Sequence, residues 1–166
     1  MSTNSLTELT SVLAEKVQLL ESMRFFLKEE ERCIIELNPA QLEENTRQAE
    51  ELMTGLNAVN ERVRVLLCRV GDELGLHEAG TLSVLLPRVN AEIRVQLRVL
   101  QKKCFSAAAA IKHHLAINEG LIKQSLSIID RSMSLFIRVL GGCETYGATG
   151  RISKGKAARG ILCREI

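Results

Sequence analysis

Aromatic residues and prolines are scarce in this sequence. Its 166 residues include no tryptophan, one tyrosine, four phenylalanines and two prolines. Leucine, isoleucine, valine, alanine, glutamate and arginine dominate instead, which is a mixture typical of helices. Because Pro39 and Pro87 are the only prolines, helices can run for many turns without a break. We therefore expect an all-α fold, an antiparallel bundle of long helices.

The sequence also lacks the features of a membrane, secreted or metal-binding protein. No run of eighteen apolar residues is present, and the polar N-terminus does not resemble a signal peptide. The five cysteines, at positions 33, 68, 104, 143 and 163, form no C-x-x-C pair and have no histidine at metal-ligand spacing. We expect a cytoplasmic protein with reduced cysteines, without a metal, a cofactor or stable membrane insertion.

Catalytic motifs are absent as well. The chain contains no G-x-S-x-G, no P-loop and no G-x-G-x-x-G. His113 and His114 are adjacent, so they point to different helix faces and cannot form the i, i+4 pair that a metal prefers. Acidic pairs such as Glu50 and Glu51 fall on the solvent side of a helical pattern. We expect no enzymatic activity and no catalytic residues.

Charge is distributed unevenly along the chain. Residues 8–51 hold eleven acidic and five basic side chains, whereas residues 88–138 hold three acidic and nine basic ones. Opposite charges favour packing of the first half of the chain against the second. A solvated surface of uneven charge explains the same counts equally well.

Two helices are predicted before a longer third one. Their apolar residues recur every three or four positions over 6–37 and over 42–74. A capping box at Ser5 predicts the start of the first helix, while Asn38 and Pro39 end it and begin the next. The short connection predicts an antiparallel hairpin. We expect one core to include Leu20, Leu27, Leu56, Val63, Ile93 and Leu100.

The third helix is the longest feature of the sequence. From Pro87 to Leu140, apolar or small residues, Leu115 among them, recur every three or four positions, with Asn118 as the polar exception. This helix would reach about 80 Å, which is too long for the core of a compact domain. Either it bends near Gly120 to give a fourth helix, or its end lacks an internal partner. A buried Asn118, bonded to a neighbouring helix, would fix the helix register.

The last 26 residues differ from the rest. Residues 141–166 contain six of the eleven glycines, with five basic and two acidic side chains. No helical period continues there, so we expect a helical domain over 1–140 and a flexible, glycine-rich basic tail over 141–166. The tail has one aromatic residue and no recognised motif for reading a nucleic-acid sequence, so binding to nucleic acid is not expected.

Two stretches together resemble the FlgN family of flagellar export chaperones. The first is the motif at 118–122, Asn-Glu-Gly-Leu-Ile, which is followed by Ser125 and Leu126 and by helix to Leu140. The second is the motif at 145–150, Thr-Tyr-Gly-Ala-Thr-Gly. The resemblance implies a cytosolic helical chaperone for hook–filament junction proteins, which it delivers to the flagellar type III export apparatus. It also implies that the C-terminal part binds the client and that the chaperone contacts the export gate.

The candidate site residues lie in this C-terminal part. The client face, as we call it, comprises Ile122, Leu126, Ile129, Met133, Phe136 and Leu140. An apolar stripe without an internal partner is costly in water and suits an amphipathic client helix. A structural coiled-coil protein that self-associates through the same helix, for example as a homodimer without client, is the alternative. Tyr146, Gly147 and Gly150 are expected to contact the export gate, unless Tyr146 caps the third helix instead.

Overall fold

The computed structural model describes residues 2–76, 81–140, 145–146 and 152–153. Helix α1 spans Ser2–Ile35 and α2 spans Pro39–Glu73. A short helix α3, Leu82–Leu85, leads into a 3₁₀ turn at Leu86–Arg88, and α4 spans Ala91–Leu140. Strands β1, Thr145–Tyr146, and β2, Ile152–Ser153, pair antiparallel. The all-α prediction, with long helices as the main elements, is therefore confirmed.

The chain divides into two compact units, Met1–Ile122 and Lys123–Ile166. In the first, α1 and α2 form the predicted antiparallel hairpin, because Ser5 near the start of α1 donates a hydrogen bond to Glu73 at the end of α2, over 2.7 Å. The first part of α4 runs parallel to α1, since Leu97 joins the cluster around Leu9 and Asn118 bonds Leu27 further along. The predicted boundary between residues 140 and 141 stays a prediction.

The core of the first unit is an apolar seam shared by these helices. Leu9, Val70, Leu85 and Leu97 have no exposed surface, and Leu85 closes the cluster from α3. Each such leucine contributes about 1.5–3 kcal/mol of hydrophobic stabilisation. The six residues expected in one core fall into two groups. Buried are Leu20, Leu27 and Val63, whereas Leu56, Ile93 and Leu100 are half-buried.

The start of α2 agrees with the prediction, and local chemistry also explains its end. Asn38 caps α2, with its Oδ1 accepting from the Gln41 amide at 3.1 Å, and Pro39 is the first helical residue. After α2, Gly75 adopts a φ of 68°, and the Leu76 amide donates to the Gly71 carbonyl at 2.9 Å. Glycine is the residue that enters this left-handed conformation without a steric penalty, so the helix ends there.

Both predicted ends of α1 are wrong. Ser5 lies inside α1 rather than at its start, and it is buried against Glu73 instead of capping the helix. At the other end, α1 stops at Ile35, and Leu37 has a φ of 54°. This conformation turns Leu37 out of the seam into solvent, where its side chain is exposed. A leucine in the left-handed region is strained, because its Cβ approaches the backbone.

Helix α4 begins later than predicted and is not interrupted. Pro87 lies in the 3₁₀ turn, and α4 starts at Ala91 because Asn90 Oδ1 accepts from the Ile93 amide at 2.8 Å. The helix continues through Gly120, so no fourth helix begins there. A Cβ at Gly120 would meet nothing within 4 Å among the described residues, so no other backbone lies against this glycine there.

One position of the predicted α4 seam is wrong. Leu115 was expected to face the core, but it is exposed, and the neighbouring His114 is half-buried in its place. His114 Nδ1 lies 3.3 Å from Glu31 Oε2 on α1. Residues 114 and 115 both fit an apolar pattern in steps of three and four residues. Here the polar contact with Glu31 on α1 holds His114 at the interface, so Leu115 faces solvent.

The described part of the tail contains a short β-ladder that the sequence analysis did not predict. Thr145 pairs with Ser153 and Tyr146 pairs with Ile152. The rest of the predicted glycine-rich tail, with Gly147 and Gly150, lies outside the described residues. Among the described residues, no helix combines the length and apolar character needed to cross a membrane.

We predict that Leu97→Ala lowers the free energy of unfolding by about 2–5 kcal/mol, because it removes a fully buried side chain and leaves a cavity. Urea denaturation followed by circular dichroism measures the change. The matched control is Val95→Ala on the same helix, where the side chain is 62% exposed; its cost should stay below about 0.5 kcal/mol. Equal costs for the two variants would contradict the placement of Leu97 in the core.

Candidate functional site

The side chains of α4 change from buried to exposed along the helix. Leu97, Ala107 and Asn118 are buried at intervals along its first part. From Glu119 onwards every described side chain is half-buried or exposed, and all of those over 128–139 are exposed. The change is not one of composition, because the later residues include Leu135 and Phe136. An apolar helix surface of this kind is typical of a binding site.

The client face lies on the exposed part of α4. Its five described side chains are between 41% and 58% exposed, namely Ile122, Leu126, Ile129, Met133 and Phe136. Their spacing of three and four residues places them on one side of the helix, over a length of about 20 Å. The side chain of Leu140, the sixth predicted member, lies outside the described residues. The backbone thus brings these residues into one continuous stripe.

A polar layer marks the end of the buried seam. Asn118, only 3% exposed, donates from Nδ2 to the Leu27 carbonyl at 2.9 Å and to Glu30 Oε2 at 2.8 Å. From the other side, Asn45 on α2 donates to the adjacent Phe26 carbonyl at 3.3 Å. Both amides therefore bond consecutive carbonyls of α1. Such contacts fix which residues face each other along three apolar helices, as predicted for Asn118.

The Asn118 amide is only half satisfied. Its Oδ1 is buried and has no hydrogen-bond partner among the described residues. The orientation of the amide is set by Leu27 and Glu30, since a carbonyl and a carboxylate can accept only from the NH₂ group. An unpaired buried acceptor lowers stability. Asn118 therefore helps to align α4 with α1, but its unpaired oxygen lowers the stability of the folded protein.

Further exposed apolar residues on α4 were missed by the sequence analysis. Ile128, Leu135, Ile137 and Val139 are all more than half exposed. They lie between the members of the predicted seam in the sequence, so a pattern that follows a single stripe does not include them. A second series in steps of seven and four, formed by Ile128, Leu135 and Val139, is the signal that could have identified three of them, whereas Ile137 lies outside it.

The expected gate contact lies in the short β-ladder. Tyr146 belongs to β1 and pairs with Ile152 in β2. Gly147 and Gly150, the other two expected contact residues, lie outside the described residues. The backbone therefore gives the tyrosine a defined strand position, and the contact of all three residues with the gate stays a prediction.

An apolar groove in the first unit offers no catalytic chemistry. It has a volume of about 530 Å³ and is lined mainly by Leu13, Leu20, Leu56, Val63, Cys104 and Phe105. Burial raises the pKa of the Cys104 thiol, so the thiol stays protonated at neutral pH and is a poor nucleophile. Within the described ranges, no three His, Cys, Asp or Glu side chains come together as a potential metal site.

Comparison with known families decides the assignment. The model of the family described as FlgN protein matches residues 1–154. The chain belongs to the FlgN family. The match includes all of the described helices and both strands, so the resemblance carried by the motifs at 118–122 and 145–150 extends over most of the chain. Neither the curated proteins nor the solved structures include a significant match.

Membership gives this FlgN-family protein a general function. The family is one of flagellar export chaperones, so the chain is a chaperone of flagellum biogenesis. The structure adds a role to the family-like motif at 118–122. Its first residue, Asn118, is held inside the helical bundle, and its last, Ile122, is the first residue of the exposed client face. The motif therefore lies at the point of α4 where the buried side chains end and the exposed ones begin.

We predict opposite effects of two substitutions at Asn118. Asn118→Ala should lower the free energy of unfolding by about 1–2 kcal/mol, because it removes two hydrogen bonds and leaves space. Asn118→Leu should raise it by about 1 kcal/mol, because an apolar side chain of similar size replaces a half-satisfied amide. Urea denaturation of both variants tests this. A loss above about 1 kcal/mol in Asn118→Leu would show that the hydrogen bonds outweigh burial.

Proposed function

We propose that this FlgN-family protein binds hook–filament junction proteins in the cytosol through the client face of α4. It keeps them unassembled and delivers them to the flagellar export apparatus. The observation that carries this proposal is the continuous stripe of exposed apolar side chains from Ile122 to Phe136. Exposed apolar surface costs about 25 cal/mol per Å² in water, so a partner that covers it is favoured.

The chemistry of the face suits an amphipathic helix. Side chains at steps of three and four present one ridge, against which a client helix can lay its own apolar side chains. Met133 and Phe136 provide adaptable contacts, since methionine is flexible and polarizable and an aromatic ring offers a large area with few rotors. A client helix covered in this way is unavailable for assembly with other flagellar subunits.

Cytosolic location agrees with the cysteines. Cys33, Cys68 and Cys104 are free thiols, and Cys68 is exposed, which suits a reducing compartment. Self-association through the client face is the second candidate function, and the same exposed stripe favours it. Mass measurement in solution separates the two: a chaperone exchanges a homodimer for a heterodimer when client is added, whereas a coiled-coil protein keeps its own dimer.

We predict that Ile129→Asp combined with Phe136→Asp weakens client binding more than about a hundredfold, because two carboxylates would have to be buried against the client helix. Isothermal titration with purified hook–filament junction proteins measures the affinity. Thermal unfolding should change little, since both side chains are exposed.

The matched control for this variant is Val95→Asp with Val99→Asp, two exposed valines on the first part of α4. This control should bind client normally. If the Ile129 and Phe136 variant binds client as tightly as the control does, the client face is wrongly placed. If it unfolds at ordinary temperature, these positions contribute to folding rather than to binding.

We also propose that Tyr146, with Gly147 and Gly150, contacts the cytoplasmic domain of the export gate. The support is the family-like motif at 145–150 and a lone tyrosine whose ring and hydroxyl suit a protein contact. A separate gate contact lets the chaperone hold its client and dock at the same time.

We predict that Tyr146→Ala leaves client affinity within about threefold, a change under 1 kcal/mol. It should weaken binding to the cytoplasmic domain of the gate and reduce secretion of the client. Thr145→Ala, the preceding strand residue, is the control and should keep both interactions. Loss of the client with retention of the gate would assign Tyr146 to the client site instead.

A further inference from the structure

The apolar surface on the last part of α4 is wider than one partner helix needs. Successive residues turn by about 100° around the helix axis. On that basis the exposed apolar side chains over 126–139 cover an arc of about 200°, from Leu135 on one edge to Ile137 on the other. An ordinary surface helix presents an apolar stripe of about 100° to its neighbours. The arc is therefore wide enough to contact two partner helices.

Apart from Ile137, which lies beside the client face, the arc consists of two stripes. One is the client face. The other, which we call the second stripe, consists of Ile128, Leu135 and Val139, which are 56%, 61% and 68% exposed. The centres of the two stripes lie about 120° apart around the axis. Between them are Ser125 and Ser132, whose small side chains let two helices lie close to α4 on either side.

The outer edges of the two stripes differ in charge. Beyond the second stripe lie Arg131 and Arg138, about 40° and 60° from Leu135 around the axis. Both are exposed, and neither guanidinium has an ion pair within the part of the chain that the structure describes. Beyond the client face lie Asp130 and Lys123, one charge of each sign. The edge of the second stripe is therefore purely cationic.

We propose that the second stripe binds a second amphipathic helix of the same client, one with acidic residues along its flank. Charge complementarity selects this occupant. A second copy of this chain would bring its own Arg131 and Arg138 to the same edge, and residues 141–166 carry five basic side chains against two acidic ones. Like charges disfavour both. A helix from the client already held on the client face gains from its high effective concentration.

This inference rests on the proposed function, and photo-crosslinking of the full chain separates the two. Benzoylphenylalanine is introduced as Met133→benzoylphenylalanine on the client face and, in a second protein, as Leu135→benzoylphenylalanine on the second stripe. Each is irradiated with purified hook–filament junction proteins, and mass spectrometry maps the products. We expect two different segments of one client, with the segment at position 135 rich in aspartate and glutamate.

Each other outcome overturns a defined claim. Crosslinks from both positions to one client segment would mean that a single helix binds, which overturns the second stripe and leaves the proposed function intact. A crosslink from position 135 to a second copy, or to residues 141–166 of the same chain, also overturns the inference alone. Absence of client at both positions overturns the proposed function.

Charge reversal gives an independent measure. Arg131→Glu with Arg138→Glu should lower client affinity about threefold to tenfold at low salt, with a smaller loss at high salt, because exposed ion pairs are weak and screened. The control, Lys102→Glu with Lys103→Glu, makes the same charge change at exposed positions of the first unit. An equal loss in both variants would show an effect of net charge and would overturn the acidic flank.

Discussion

Burial of one apolar seam by three helices holds the first compact unit together. Leu9, Val70 and Leu97 are removed from water completely, and each is supplied by a different helix. The hydrophobic effect has no preferred alignment, so the seam alone would allow the helices to slide by a turn. Asn118 restricts that freedom, because its amide bonds the side chain of Glu30 as well as the Leu27 carbonyl, while Asn45 adds a bond to the Phe26 carbonyl from α2. Stability and register thus come from different side chains.

The same constraint explains where the exposed surface begins. Leucines and isoleucines continue along α4 after Asn118 with an unchanged period, yet their side chains are exposed. Their exposure is therefore a property of the surroundings and not of the residues. In this chain of the FlgN family, an unchanged helix period is therefore buried in one part of α4 and exposed in the other.

Sequence reasoning succeeded where local chemistry decides the structure. The period of α2 predicts its buried residues, and Asn38 with Pro39 predicts its start, because both depend on neighbours in the chain. It failed where a distant partner decides. Ser5 has the spacing of a cap but is bound by Glu73, which is 68 residues away. Leu37 continues the apolar period, but the turn to Asn38 forces it out of the seam. His114 replaces Leu115 because of Glu31.

The candidate site shows the same division. The period alone gives the residues of the client face, and the length of the third helix predicts that they lack an internal partner, whereas the position at which burial ends depends on which helices are close. The second stripe was missed because the apolar residues of α4 were read as a single series on one side of the helix. The sequence alone does not show whether a helix has one partner or two. The ladder of Tyr146 with Ile152 was not predicted, because the surrounding sequence is rich in glycine, and glycine has a low propensity for strands.

The uninterrupted course of α4 has a consequence for how a partner leaves. Packing against other helices stabilises the first part of α4. Over 128–139 the side chains are exposed, so that part of the helix is stabilised mainly by its own helical propensity. Segments with few buried contacts open locally at low free-energy cost. The last turns of the helix are therefore expected to open at a lower free-energy cost than the first, and the client proposed to lie on them could be released turn by turn while the first unit stays folded.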